Sequence, residues 1–382
     1  MTIQKHPATA GVINPFALVA ARLRRTVDWA RLADRRSFVS NVLGFPYDKL
    51  FDPRHGSPLY AYARYDAHTK EMSPTPAEHL TLLSPNARSA AAGGYSGAGA
   101  TLEWRDPGTF FEHAPDFTAP VQGALPDCHF ISAMASLAWS NPFAFAHNLR
   151  PVRQDDDIER GGTFARIPFF GGTGAAPSMV EVTELLPLME PGDVYQYARS
   201  GHANETWPAV YEKAWVKWFT NATGDRPNYG LVTGGDPVHD LVSLTGLSPS
   251  YADTQTMTGD QIWNDVRAHC QGSWTFNPMV ACTYASDASA PTPVDYNTAG
   301  LVAWHCYAIL GWQFAGGQKY IVLRNPWGYH EATLNVDNGP WTSFDQFDGG
   351  DVVGTLSLPE NGVFALRADT FQQYFESYGW VS

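Results

Sequence analysis

Cys128, His305 and Asn325 are, in chain order, a thiol, an imidazole and a carboxamide. Together those three groups make an acyl-transfer centre. A thiolate attacks a carbonyl, an imidazole takes and returns the proton, and an amide oxygen holds the other ring N–H and fixes the tautomer. Gln122, with five residues between it and Cys128, adds a side-chain amide able to point at an oxyanion beside the Cys128 backbone N–H. Trp327 is placed to cover the His305–Asn325 hydrogen bond and strengthen it by keeping water away. Each residue alone has a plainer meaning. A cysteine on an apolar helix is ordinarily core, a strand histidine a satisfied core group, and an asparagine before proline turn chemistry. Gln122 alone reads as a solvated turn residue and Trp327 as core.

The elements that must position them follow from local pattern. The turn-forming run Gln122-Gly-Ala-Leu-Pro-Asp127 passes into an apolar, alanine-rich stretch, so a helix is expected to start at Cys128 with Asp127 as its N-cap. The free N–H groups and dipole of that helix start favour a thiolate. Leu301 to Gln313 reads as a strand containing His305, and Lys319 to Arg324 as a second. A hairpin through Gly316-Gly317 is expected to bring Asn325 near His305.

Elsewhere, apolar residues from Phe16 to Leu43 fall at helical spacing, residues 44–83 read as loop with short elements, and 84–100 as a flexible linker. Asn141-Pro142 should stop the helix that begins at Cys128, and Met179–Pro187 reads as a strand ending at its proline. Thr206–Trp218 reads as a helix with Pro208 in its first turn, and Gly234–Pro237 as a break. Gly362–Leu366 reads as a strand, Asp369–Phe375 as a helix, and the acidic run Asp345–Asp351 as a solvated turn. The division expected is an extension over 1–95, a helical lobe with the nucleophile over 96–247, and a strand-rich lobe with His305 and Asn325 over 248–382.

With 44% hydrophobic and 16% charged residues in 382, the chain is a folded protein. Its net charge of −13 argues against a nucleic-acid partner. The four cysteines, Cys128, Cys270, Cys282 and Cys306, contain no CxxC pair, which excludes zinc-ribbon and thioredoxin chemistry. If Cys128 works as a thiolate, three remain, an awkward number for disulfides that leans towards a reducing, cytoplasmic setting. The N-terminus lacks a signal pattern, and no apolar run approaches the roughly 18 residues of a transmembrane segment.

At this point the chain resembles the calpain family. Gln122-Gly-Ala-Leu-Pro-Asp-Cys-His-Phe130 is similar to its motif Gln-Gly-x-Leu-Gly-Asp-Cys-Trp-Leu, Arg324-Asn-Pro-Trp-Gly328 matches Arg-Asn-Pro-Trp-Gly, and His305-Cys-Tyr307 resembles Gly-His-Ala-Tyr. Noncatalytic stretches agree in order from about residue 100 to the end, among them Trp207-Pro-Ala209 with Glu212-Lys-Ala214. The resemblance implies an α+β, two-lobed papain-like core and a cysteine endopeptidase acting on protein or peptide through Cys128, His305 and Asn325. It implies Gln122 in the oxyanion hole and Trp327 shielding the triad. A transferase or ligase in which an amine intercepts the thioester is one rival, and an inactive pseudoprotease is another.

Three departures mark this chain: Pro126 for the motif glycine, His129 for the tryptophan after the nucleophile, and Trp304 for the glycine before the histidine. The family core is also a calcium switch, yet Ala119, Asn361 and Val363 stand where the resemblance implies carboxylates. Calcium prefers several hard oxygen ligands, so both sites should be weakened and activity is expected not to need calcium. No metal-binding residue and no cofactor is expected.

Overall fold

The computed structural model describes residues 101–382 apart from 112–114, 143, 146–163, 191–193, 204, 233, 330–331, 333–338, 341–342, 349–350 and 358–361. The expectations for residues 1–100, and that for Asn361, lie outside the described residues.

Strands β1 (Thr101–Arg105) and β2 (Pro120–Val121) precede helix α1 (Cys128–Ser140). Five strands follow: β3 (Phe164–Phe170), β4 (Pro177–Thr183), β5 (Leu186–Glu190), β6 (Val194–Tyr195) and β7 (Arg199–Ser200). Next come helices α2 (Trp207–Phe219) and α3 (Pro237–Thr245), strand β8 (Pro249–Asp253) and helix α4 (Gly259–Ala268). The remainder is strand-rich: β9 (Cys270–Gln271), β10 (Trp274–Thr283), the short α5 (Tyr296–Ala299), β11 (Cys306–Ala315) and β12 (Gln318–Arg324). It ends with β13 (Gly339–Pro340), β14 (Ser343–Asp348), β15 (Asp351–Ser357), β16 (Val363–Arg367), α6 (Ala368–Tyr374) and β17 (Phe375–Val381).

An antiparallel sheet in the order β13-β16-β12-β11-β10-β17-β8, with β9 added to β10, carries the site. Side chains alternate across it with the period of two that a pleated strand imposes. Val280, Ala308, Leu310 and Val322 join the core around α1, α2 and α3. Met279, Tyr307, Ile309 and Leu323 join a second core with Ile262 and Trp263 of α4 and Phe371 of α6. The β11–β12 hairpin closes through Gly316 and Gly317, at φ +57° and +78°. Two successive positive φ angles are what a type I′ turn demands, and glycine supplies them without strain.

Helix α1 begins at Cys128 and stops before Asn141, and α2 begins after Thr206, both as expected. Three local expectations are corrected. His305 lies before β11 and not inside a strand, because the chain turns through Trp304 at φ +51° before pairing starts. Pro187 does not end a strand: β4 stops at Thr183, and Pro187 pairs within β5 against Trp104. Asp345–Asp348 and Asp351 belong to the antiparallel pair β14–β15, for which Phe347 and the Val352-Val353 that follow the run are strand formers.

Candidate active site

Helix α1 is tied to the sheet by its own polar side chains. Ser132 Oγ donates to the Cys306 carbonyl at 2.9 Å, Ser136 Oγ to the Met279 carbonyl at 2.7 Å, and Trp139 Nε1 to the Leu310 carbonyl at 2.7 Å. Residues four apart share a helix face, so Cys128 lies one turn, about 6 Å, before Ser132 on the face turned to the start of β11. The backbone N–H of Cys306, the residue after His305, accordingly reaches the Cys128 sulfur.

His305 is buried, and its Nε2 lies 3.0 Å from Asn325 Oδ1. The Trp327 backbone N–H donates to the same Oδ1 at 3.1 Å. A backbone N–H can only donate, so that atom of Asn325 is the oxygen, and His305 Nε2 must carry the proton. Nδ1 is therefore the nitrogen with a lone pair for proton transfer. Asn325 is fully buried and its backbone N–H donates to the Gly362 carbonyl at 2.8 Å, which fixes the backbone from which the amide projects. The Trp327 ring lies 4.9 Å from the imidazole, centroid to centroid, at 50°.

Gln122 is buried at the junction of these elements. Its backbone N–H donates to the Pro326 carbonyl at 2.9 Å, its carbonyl accepts from Arg199 at 3.1 Å, and its Nε2 donates to the Leu125 carbonyl at 2.7 Å. A primary amide has two N–H donors, so one is spent on holding the side chain and the second is available to a reacting group. The glycine beside it is dictated by packing: a Cβ on Gly123 would fall 2.2 Å from the Tyr197 carbonyl oxygen. Pro126 is exposed and takes the motif glycine's place without entering the site.

The electrostatics differ from the expectation for a helix-start thiolate. The Cys128 side chain is partly open to solvent, but protein atoms crowd the sulfur. Burial pushes the thiol up to about 12, Asp127 adding to the rise, while the N–H groups of Cys306 and His129 pull against it. Helix-end dipoles act through exposed donors, and here desolvation outweighs them. Asp127 occupies the N-cap position, but its carboxyl makes no capping bond; its backbone carbonyl accepts from Phe130 and Ile131 at 2.9 and 3.1 Å. The carboxyl turns instead to Glu212 of α2. Burial raises Asp127 to about 7 and, with the neighbouring Asp127, lifts Glu212 well above the carboxylate range. Two carboxyls packed together in a dry site hold one proton between them. Ala198 N–H donates to both Glu212 oxygens, at 3.0 and 3.1 Å.

His129, standing where the family has tryptophan, is buried and its Nδ1 pairs with Asp240 Oδ2 of α3. Its ring packs edge-on against Trp215 of α2, 5.6 Å between centroids. It also fills the space beside Gly235, where a Cβ would lie 2.6 Å from the ring. The histidine thus puts a ring tethered to the Asp240 carboxyl where the family has an indole.

The residues that sequence reasoning left without a role are the buried ionic ones: Glu212, Asp240, Arg199 and Arg324. Their signal was present in Glu212-Lys213, two charges in an aromatic helix segment, since such groups are rarely buried unless paired. Lys213 does find partners, donating to the Thr183 and Leu185 carbonyls and to Asp225.

The three cysteines other than Cys128 are not all spare, contrary to expectation. Cys282 and Cys306 are directly opposed on β10 and β11, their Cα atoms 4.3 Å apart, and they are disulfide-bonded. Cys128 and Cys270 stay free; Cys270 donates to the Val266 carbonyl and its thiol is raised by burial. Among the described residues no helix is long and apolar enough to cross a membrane. Ala119 and Val363 are both buried in the core, and neither side chain offers an oxygen; this pair does not fit a calcium site.

Residues 87–380 match the calpain family cysteine protease as a family, and the chain belongs to it. Residues 1–86 lie outside the matched segment. The chain is 27% identical over 282 residues to a thiol protease of Porphyromonas gingivalis, covering 67% of this chain and 53% of that protein. It is 29% identical over 294 residues to calpain-9 of Rattus norvegicus, covering 72% and 37%. It is 27% identical over 267 residues to the calpain-type cysteine protease ADL1 of Oryza sativa subsp. japonica, covering 67% and 11%. The chain thus spans about half the length, or less, of these relatives.

Proposed function

We propose that the chain is an endopeptidase hydrolysing peptide bonds with Cys128 as nucleophile, His305 as general base and Asn325 as the residue that orients it. The observation carrying this reading is the paired hydrogen bonding at Asn325 Oδ1, which leaves His305 with its basic nitrogen at Nδ1. The Cys128 sulfur attacks the carbonyl carbon as its proton passes to Nδ1; the imidazolium then protonates the departing amine, leaving an acyl thioester. Water attacks the thioester with His305 again as base, the acid departs and the thiol is restored. The second N–H of Gln122 Nε2 and the Cys128 backbone N–H receive the oxyanion, a role for which one donor is typically worth about 10²–10³ in rate. Trp327 shields the imidazole–amide bond from water. The substrate lies between the segment carrying Cys128 and the segment carrying His305.

A thiol at about 12 is protonated at rest, so proton transfer accompanies attack and no ion pair is stored beforehand. Alkylation of Cys128 by iodoacetamide is expected to keep rising between about pH 6 and pH 10. A plateau already reached below neutral pH, read by peptide mass spectrometry, would instead mean a resting thiolate–imidazolium pair. The functional assignment itself is tested with an epoxide thiol inhibitor. It should add once, at Cys128, and not at all to Cys128→Ala; folded protein that takes no label would remove the assignment.

We also propose that activity does not need calcium, on the burial of apolar Ala119 and Val363. Cleavage of a peptide mixture is expected to be unchanged by a chelator. Loss on chelation, restored by calcium, would show that other ligands do the work.

A further inference from the structure

Trp304 stands in two unfavourable situations at once. Its backbone is in the left-handed region at φ +51°, where a bulky residue is a genuine outlier, and its side chain is 73% exposed. The backbone is held there by its N–H, which donates to the Tyr284 carbonyl at 2.8 Å, and by the next N–H, from His305 to Thr283 Oγ1 at 3.0 Å. Turning the chain at this point sets His305. A glycine would serve that turn without strain, so the turn does not explain the indole. Nor does the core, because a largely exposed indole buries little of its apolar surface. The indole stands over the opposite rim: Nε1 is 3.8 Å from where a Cβ on Gly234 would lie, in the segment leading to the N-cap of α3. Gly234, Gly235 and Asp236 are themselves exposed there. One large apolar face therefore lies beside the residue that would take the thiol's proton, between the two rims, with little covering it.

We propose that Trp304 is the specificity-determining wall of the cleft, packing against a large apolar side chain of the peptide next to the bond that is cut. The proposal rests on the endopeptidase reading above. Strain and exposure at a site of this kind are maintained by what the side chain does when occupied, and an indole offers a wide, rigid surface to an aliphatic or aromatic partner.

The test is cleavage of a proteome-derived peptide library by the full chain and its Trp304→Gly and Trp304→Phe variants, with Cys128→Ala as blank. The intact chain should enrich Leu, Met, Phe, Tyr or Trp at one position flanking the cut. Trp304→Gly, which suits the backbone angle and should remain folded by circular dichroism, should flatten that preference. It should also lower kcat/KM on an apolar substrate about tenfold, mostly through KM, while a substrate with glycine at that position is cut as before. Trp304→Phe should keep most of the preference. An unchanged preference in Trp304→Gly overturns the proposal and leaves the endopeptidase reading standing. If the intact chain produces no fragment absent from the Cys128→Ala blank, both fall together. Equal losses on apolar and glycine substrates also overturn it, since they show a purely structural turn.

Discussion

Replacing Cys128 by alanine is expected to lower peptide cleavage by about 10⁴-fold or more, and adding His305→Ala to that variant is expected to cost almost nothing further. The non-additivity is the informative half. In the proposed mechanism His305 passes the Cys128 thiol proton to the leaving amine and then takes a proton from the water that attacks the thioester; both tasks need the sulfur, so without it the loss of His305 is silent. What survives in either variant is whatever oxyanion donors and binding contribute by themselves. The helix start should be intact in Cys128→Ala, because Ser132, Ser136 and Trp139 hold α1 to the sheet without help from the thiol. Initial rates on one fluorogenic peptide, for both single variants and the double variant, measure this. Two single losses that multiply in the double variant would mean that Cys128 and His305 act independently, and the shared proton would have to be abandoned.

Much of this arrangement was legible because it is local in sequence. The hairpin bringing Asn325 towards His305 needs only two neighbouring strands and a Gly-Gly turn, and the start of α1 needs only a turn-former run followed by alanine-rich sequence. What escaped is what the tertiary structure decides. Cys282 and Cys306 pair because the register of β10 against β11 sets them face to face, and cysteine spacing alone does not give connectivity. The carboxyl of Asp127 has the type and position of a cap, but α2 offers it Glu212 in a dry pocket, and so it does something else. The same burial reverses the expectation for the Cys128 thiol. A helix dipole can be read from sequence; the water around it cannot. Pro187 could sit inside β5 because a proline only removes one donor, and which donor a ladder can spare is settled by the neighbouring strand.

Arg324 should be as costly to remove as any group in the site, although it touches no reacting atom. Its guanidinium is fully buried at the end of β12, where Nη1 donates to the Pro120 carbonyl at 2.9 Å and Nη2 to the Thr118 carbonyl at 3.0 Å. Both acceptors belong to the segment leading into Gln122, so one side chain joins the end of β12, next to Asn325, to the loop bearing Gln122, the proposed oxyanion donor. Burial lowers the guanidinium to about 10, and the nearby Asp116 carboxylate opposes that fall, so the group stays charged at neutral pH. In Arg324→Met the stem is kept and the fork is lost, leaving two buried carbonyls without donors, while Asp116 keeps its pairing with His202 at 2.6 Å. At about 1–3 kcal/mol for each orphaned buried acceptor, the variant is expected to lose about 2–6 kcal/mol. That is a large share of the roughly 5–15 kcal/mol by which a typical domain is stable. Urea unfolding followed by tryptophan fluorescence reads the loss as a lower midpoint, and cleavage should fall further than the folded fraction does, because Gln122 loses its alignment to Cys128. A midpoint within error of the parent chain would show that the two segments are held together by something other than Arg324.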